Sequence, residues 1–193
     1  MASTNNAQPV TDSRKRCSWC GTDALYMKYH DEEWGKVVHD DETLFEFLVL
    51  ESAQAGLSWI TILRRRENYR NAFAGFDVHK VAAMQLPDVE RLMQDAGIIR
   101  NRLKITTTIT NAQHFIAVQK EFGSFRKYLY SFMPDGKPIN NQAGSIPVRT
   151  EISDAISKDM KKRGFKFFGT TICYAYMQAT GMVNDHVVGC SFK

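Results

Sequence analysis

Between Leu44 and Ala55 the chain reads LFEFLVLESAQA, and wound as a helix this stretch is apolar on nearly every face. A helix with no polar side must be covered all round, so the rest of the chain has to wrap it. The wrapping is helical as well. Apolar residues recur at a period near 3.6 along the sequence, and no segment alternates as a strand does. Asp40 and Asp41 precede the apolar helix and Gly56 breaks it. Ser58 caps a second helix, Trp59 to about Phe73, whose exposed side carries Arg64, Arg65, Arg66 and Arg70. Asp77 caps a short helix through Met84. Pro87 suits the first turn of the next, which Gly97 ends. Asn101–Phe122 is a long helix stopped by Gly123, and Ser124–Phe132 a shorter one. Pro134–Pro147 holds three of the chain's five prolines and reads as a loop. Ser153 caps a helix that reaches Arg163, and Thr170–Thr180 forms the last, closed by Gly181. The expectation is all-α, one compact unit of about eight helices.

At 193 residues the chain can bury one sizeable core. No apolar run approaches the roughly 20 residues that span a bilayer, and the N-terminus lacks an apolar signal region. A cytoplasmic protein without membrane contact is expected. Met1–Lys15 is polar and aperiodic and reads as a disordered leader, leaving residues 16–193 as the folded domain. The net charge of +4 suits an anionic partner. Basic residues also gather at Arg100/Arg102/Lys104 and at Lys158/Lys161/Lys162/Arg163/Lys166.

Cysteine usage points to a metal or to plain burial rather than disulfides. Cys17 and Cys20 are spaced Cys-x2-Cys, His30 follows ten residues later, and His186-x3-Cys190 lies near the other end. Thiolates and imidazoles in this mixture suit a closed tetrahedral zinc site. Five candidates compete for four places, and such a site would join the N- and C-terminal segments. Cys173, inside an apolar helix, reads as core. His30-x-Glu32 resembles half of a zinc deaminase signature, but there the Cys-x2-Cys follows it on a helix, whereas here it precedes.

Two further features bear on chemistry. Leu44, Phe47, Leu48 and Glu51 share one helix face, so Glu51 sits on an apolar stripe. It is either a solvated residue near the helix end or a carboxylate lining a pocket, where desolvation raises its pKa. Trp59, across the Gly56 turn, suits a flat, electron-poor ring. In KKRGFKFFGTT a helix stops, turns at Gly169 and restarts with two threonines. Unpaired backbone N–H groups at the new helix start, beside five cationic side chains, suit a nucleic-acid backbone.

The motifs RCSWC, YHDEEWG, LESAQAGLSW, RENYR, DAGIIRNR, KKRGFKFFGTTICYAYMQATG and NDHVVGC together resemble the 3-methyladenine DNA glycosylase I family, over nearly everything from Arg16 to Cys190. The resemblance implies an all-α fold of the helix-hairpin-helix glycosylase type with one structural zinc ion. It implies flipping of the damaged nucleotide from double-stranded alkylated DNA and hydrolysis of its N-glycosidic bond. The products would be free 3-methyladenine and an abasic site. Carried over by position, the zinc ligands are Cys17, His30, His186 and Cys190. The base pocket is Glu51, Tyr29 and Trp59, with Trp19, Tyr26 and Trp34 around it, and Glu51 is the catalytic candidate. The DNA contacts are Leu57, filling the gap left by the flipped base, and Lys166, Gly169, Thr170 and Thr171 at the hairpin. Thr171 stands where strand-cleaving relatives carry a lysine, so a monofunctional enzyme is implied, acting as a monomer. Phe167 stands where the superfamily carries a glycine, which is expected to loosen or shift the hairpin's grip on phosphate. Asp185 lies near the distance expected of the superfamily's catalytic aspartate but adjoins a zinc ligand.

Overall fold

The computed structural model describes residues 13–141 and 145–193. The leader expected over 1–15 lies, through residue 12, outside the described residues. Lys15 itself exchanges two hydrogen bonds with Ser191: its carbonyl accepts from the Ser191 N–H at 2.8 Å, and its own N–H donates to Oγ at 3.1 Å.

The apolar helix is α2, Asp41–Gln54, and every residue from Leu44 to Ala53 is buried. Asp40 caps it by accepting from the Thr43 N–H at 2.7 Å. Around it stand α1 (Ala24–Glu32), α3 (Trp59–Leu63), α4 (Arg66–Ala72), α5 (Val78–Ala82), α6 (Leu86–Gln94), α7 (Arg102–Phe122), α8 (Phe125–Tyr130), α9 (Glu151–Lys162) and α10 (Thr170–Ala179). Helices α3, α7, α8 and α10 pack directly on α2, so the wrapping required by its apolar faces is supplied from four sides. Asn101 caps α7 through the Lys104 N–H, and Gly123 ends it in the left-handed conformation at φ +82° that glycine adopts without strain.

Three local expectations are revised. The helix expected from Trp59 to Phe73 is two, because Arg65 leaves helical geometry at φ −104°, ψ 1° between α3 and α4. Ser58 does not cap the backbone; its hydroxyl meets that of Thr61 at 2.7 Å. The cap of α9 is Thr150, with Ser153 three residues later returning the bond in a reciprocal capping box. Two short strands also form, β1 (Ile139–Asn140) and β2 (Val183–Asn184), paired in parallel.

The C-terminal segment closes back on the N-terminal one. Gly181 is at φ +67° and lies so near the Lys36–Val37 backbone that an added Cβ would stand 2.2 Å from the Lys36 carbonyl carbon. Only glycine permits that approach.

Candidate active site and metal cluster

The turn after α2 carries two of the candidate residues and is held from outside. Helix ends leave carbonyls unpaired. Here Lys104 Nζ donates to the carbonyls of Ala53 at 2.9 Å and Ala55 at 2.7 Å. Gly56 then turns at φ +81°, Leu57 stands 40% exposed at the turn, and Trp59 opens α3.

Behind this turn lies a cavity of about 200 Å³. Trp19, Tyr26, Tyr29, Trp34, Glu51 and Trp59 all line it, joined by Gln54, Ile146, Ala175 and Gln178. The volume suits one flat ring system rather than a drug-sized ligand, for which roughly 300–1,000 Å³ is usual. The aromatic rings are tilted or edge-on to one another. Tyr29 and Trp59 centroids are 5.4 Å apart, Trp19 and Tyr26 5.0 Å, and Trp19 and Trp34 4.8 Å. Of the four further lining residues, Gln54 was discoverable as the residue one turn beyond Glu51. Gln178 reaches the cavity from α10, which carries no signal of its own for that role.

Glu51 resolves in favour of the pocket alternative. It is 3% exposed, its Oε2 has no hydrogen-bond partner among the described residues, and burial alone pushes its pKa up to about 8. A carboxyl so buried is mostly neutral at pH 7. The indole N–H groups of Trp19 and Trp59 are likewise buried and unpartnered. These three polar atoms belong to residues that line the aromatic cavity and have no partner among the described residues, a pattern suited to a polar, planar ligand.

The arginine run near the site is not an open cationic surface. Arg66 donates to Glu46 and Glu33, each at 2.6 Å, Arg70 donates to Glu46 at 2.9 Å, and Arg64 to Asp23 at 2.6 Å. Arg65 donates to the carbonyls of Ala96 and Gly97. These cations brace the helices around the cavity.

At the hairpin between α9 and α10, Phe167 occupies the left-handed region at φ +53°, the geometry a glycine would take. Asn111 grips both main-chain groups of Lys166, accepting from its N–H and donating to its carbonyl, each at 3.0 Å. Ser157 donates to the Phe168 carbonyl at 2.9 Å. Neighbouring side chains thus hold the strained backbone at Phe167 in place. Lys166, Gly169 and Thr171 are exposed, whereas the Thr170 hydroxyl is engaged by Asp154 and Ser153.

Against one wall of the cavity lies a second centre. Cys17, His30, His186 and Cys190 are all buried, and one ligand atom from each lies within 4.8 Å of all the others. His186 Nδ1 is 3.6 Å from Cys17 Sγ and 3.3 Å from Cys190 Sγ, and His30 Nε2 is 3.6 Å from Cys190 Sγ. A tetrahedral ion at ordinary Zn–S and Zn–N lengths separates sulfur from nitrogen by about 3.6 Å, so these spacings can hold a metal. The outer partners orient the rings toward it. His30 Nδ1 is 2.7 Å from Asp31, which Arg16 clamps, and His186 Nε2 is 3.1 Å from the Trp34 carbonyl. Cys20, the fifth candidate, turns away; its thiol donates to the Cys17 carbonyl at 3.1 Å. Cys173 is buried in α10, as expected of a core residue. Asp185 does not line the cavity. Its Oδ2 accepts from Tyr174 and Gln178.

The helical fold thus brings together a hairpin between α9 and α10 and an aromatic cavity lined by a buried carboxyl. The chain matches the family described as methyladenine glycosylase over residues 19–193, and it belongs to that family. It is 55% identical over 179 residues to DNA-3-methyladenine glycosylase 1 of Escherichia coli (strain K12), covering 91% of this chain and 95% of that protein. A crystal structure of 3-methyladenine DNA glycosylase I superposes with a TM-score of 0.88 at 53% identity, covering 92% of this chain and 98% of the other. A tyrosine-to-phenylalanine variant of 3-methyladenine DNA glycosylase I, solved in complex with 3-methyladenine, also superposes at 0.88, with 36% identity and coverage of 92% and 97%.

Proposed function

We propose that this protein excises 3-methyladenine from alkylated double-stranded DNA, receiving the flipped base in the aromatic cavity and leaving an abasic site. The observation that carries the reading is the buried, unpartnered Glu51 carboxyl facing the aromatic walls. Methylation at N3 makes adenine cationic and weakens its glycosidic bond. When that bond breaks, its electron pair neutralises the departing base, and water adds to C1′ with loss of a proton. No strong acid is needed for the leaving group. A cation brought against Glu51 favours its carboxylate form, which unmodified adenine does not. Trp59 and Tyr29 gain from stacking on the positive ring. The site thus binds the altered base better than the normal one, and that difference supplies selectivity.

In this reading Leu57 fills the gap left by the extruded nucleotide, and the exposed residues of the hairpin, Lys166, Gly169 and Thr171, meet the phosphates, with Thr170 opening the helix beside them. The Cys17, His30, His186 and Cys190 cluster holds one structural zinc ion, which would fix the wall formed by Trp19 and Trp34. The folded unit is residues 16–193, acting as a monomer in the cytoplasm. No helix among the described residues is long and apolar enough to cross a membrane.

The deciding experiment is incubation with methylated DNA and chromatographic identification of released bases. Release of 3-methyladenine is expected. Release of no base, or only of other alkylated bases, would refute the assignment.

A further inference from the structure

We propose that Gln178 is a specificity-determining residue of the cavity and that Asp185 is the positioning residue that fixes which end of its amide meets the base. The inference rests on the reading of the cavity as a base pocket. Gln178 lines the cavity from α10, and its Nε2 donates to Asp185 Oδ2 at 2.7 Å. The Tyr174 hydroxyl donates to the same oxygen, also at 2.7 Å. A carboxylate only accepts hydrogen bonds, so it takes the NH₂ end of the amide and repels the carbonyl end. An amide without such a neighbour is free to turn over and present either end.

The consequence is a cavity with a set polarity. With Nε2 held by Asp185, Oε1 is the end of the Gln178 amide left for a ligand, alongside Glu51 Oε2, which has no partner among the described residues. The amide oxygen only accepts, and Glu51 does so too once a base brought against it holds it as the carboxylate. A purine carrying an exocyclic amine at position 6 donates to such an edge, whereas a carbonyl there sets lone pair against lone pair. Asp185 is 4% exposed, and its second oxygen, Oδ1, has no partner among the described residues. Packing alone does not call for a carboxylate there, because burying one with an idle oxygen is unfavourable. Fixing the Gln178 amide gives that carboxylate a role even though it never touches the base.

The test compares binding of two free bases that differ at position 6, 3-methyladenine and 3-methylhypoxanthine, followed by tryptophan fluorescence. The parental protein should prefer the amine-bearing base by about tenfold or more, the scale of one correctly paired against one mispaired buried polar group. Gln178→Met should reduce that ratio to within about threefold. Asp185→Ala should do the same, while Asp185→Asn, which retains one acceptor oxygen, should keep the preference. The double variant should fall no further than either single change, because both act through one amide. Metal content is measured in each variant, since Asp185 adjoins His186. An unchanged ratio in Gln178→Met overturns the proposal. So does an Asp185→Ala effect that persists in the Gln178→Met background, or one that lowers both affinities equally with loss of metal. A parental protein that binds neither base overturns the pocket reading and this inference with it; binding with a ratio indifferent to these changes overturns the inference alone.

Discussion

Replacing Glu51 by glutamine should abolish efficient excision and yet make the protein more stable, increasingly so as pH rises. The carboxyl is taken to titrate at its ordinary 4.5 in the unfolded chain and at about 8 in the fold, so between those values folding takes up a proton. A raised folded-state pKa contributes stability fully present below pH 4.5, and that stability is lost as pH climbs through about 8. Carried through, the loss is about 3 kcal/mol at pH 7 and about 5 kcal/mol by pH 9. Glutamine has no proton to lose and escapes it. The amide brings polar groups of its own into this buried site, an offset of about 1–3 kcal/mol. Glu51→Gln should therefore be no more stable than the parent at pH 5, and more stable by roughly 2–4 kcal/mol at pH 9. Urea denaturation at pH 5, 7 and 9 measures this directly. A stability difference that stayed level across that range, or ran the other way, would show that the carboxyl finds a partner in solution and that its burial is not what tunes it.

Three other outcomes follow from the geometry. Trp59→Ala should weaken binding of free 3-methyladenine by about 1–3 kcal/mol, the range for stacking of a base on an aromatic ring, and calorimetry showing unchanged affinity would remove Trp59 from the pocket. Protein purified without chelator should carry about one zinc ion per chain, and Cys17→Ala or His186→Ala should lower both metal content and thermal stability; elemental analysis finding no metal in the parent would sink the cluster assignment. Borohydride should trap no covalent protein–DNA adduct during turnover, because Thr171 offers a hydroxyl where a Schiff base needs an amine, and a trapped adduct mapping to any lysine would contradict this.

The helices whose ends carry their own signals were legible in sequence. Asp40, Asp77, Asn101 and Ser124 each cap a helix through a main-chain N–H, and Gly123 stops α7 where its side chain is absent for that purpose. The break between α3 and α4 was not legible. Arg65 is an ordinary helix former, and it leaves helical geometry where its guanidinium reaches across to the carbonyls of Ala96 and Gly97. Such tertiary bonds override local propensity. The same is true of Arg66, which reads as surface charge but lies half under Glu33 and Glu46. For the cavity, Glu51 and Trp59 were visible because a carboxylate on an apolar stripe and an indole across one turn are local facts. Residue spacing left five metal candidates open. Only the resemblance singled out four, and the fold brings those four together while turning Cys20 aside. Gln178 and Asp185 lie seven positions apart and acquire meaning only through the bond between them.

The cluster of Cys17, His30, His186 and Cys190, which could hold a metal, also constrains the course of folding. Cys17 and His186 are 169 positions apart, so the complete cluster cannot exist until nearly the whole chain has assembled. The extended chain instead offers an ion two local half-sites, the Cys17/Cys20 thiols at one end and His186/Cys190 at the other. Contacts this distant in sequence form late, because the helices between must dock before the ends meet. Assembly of the four-residue cluster thus marks the completion of the cavity wall that Trp19 and Trp34 supply.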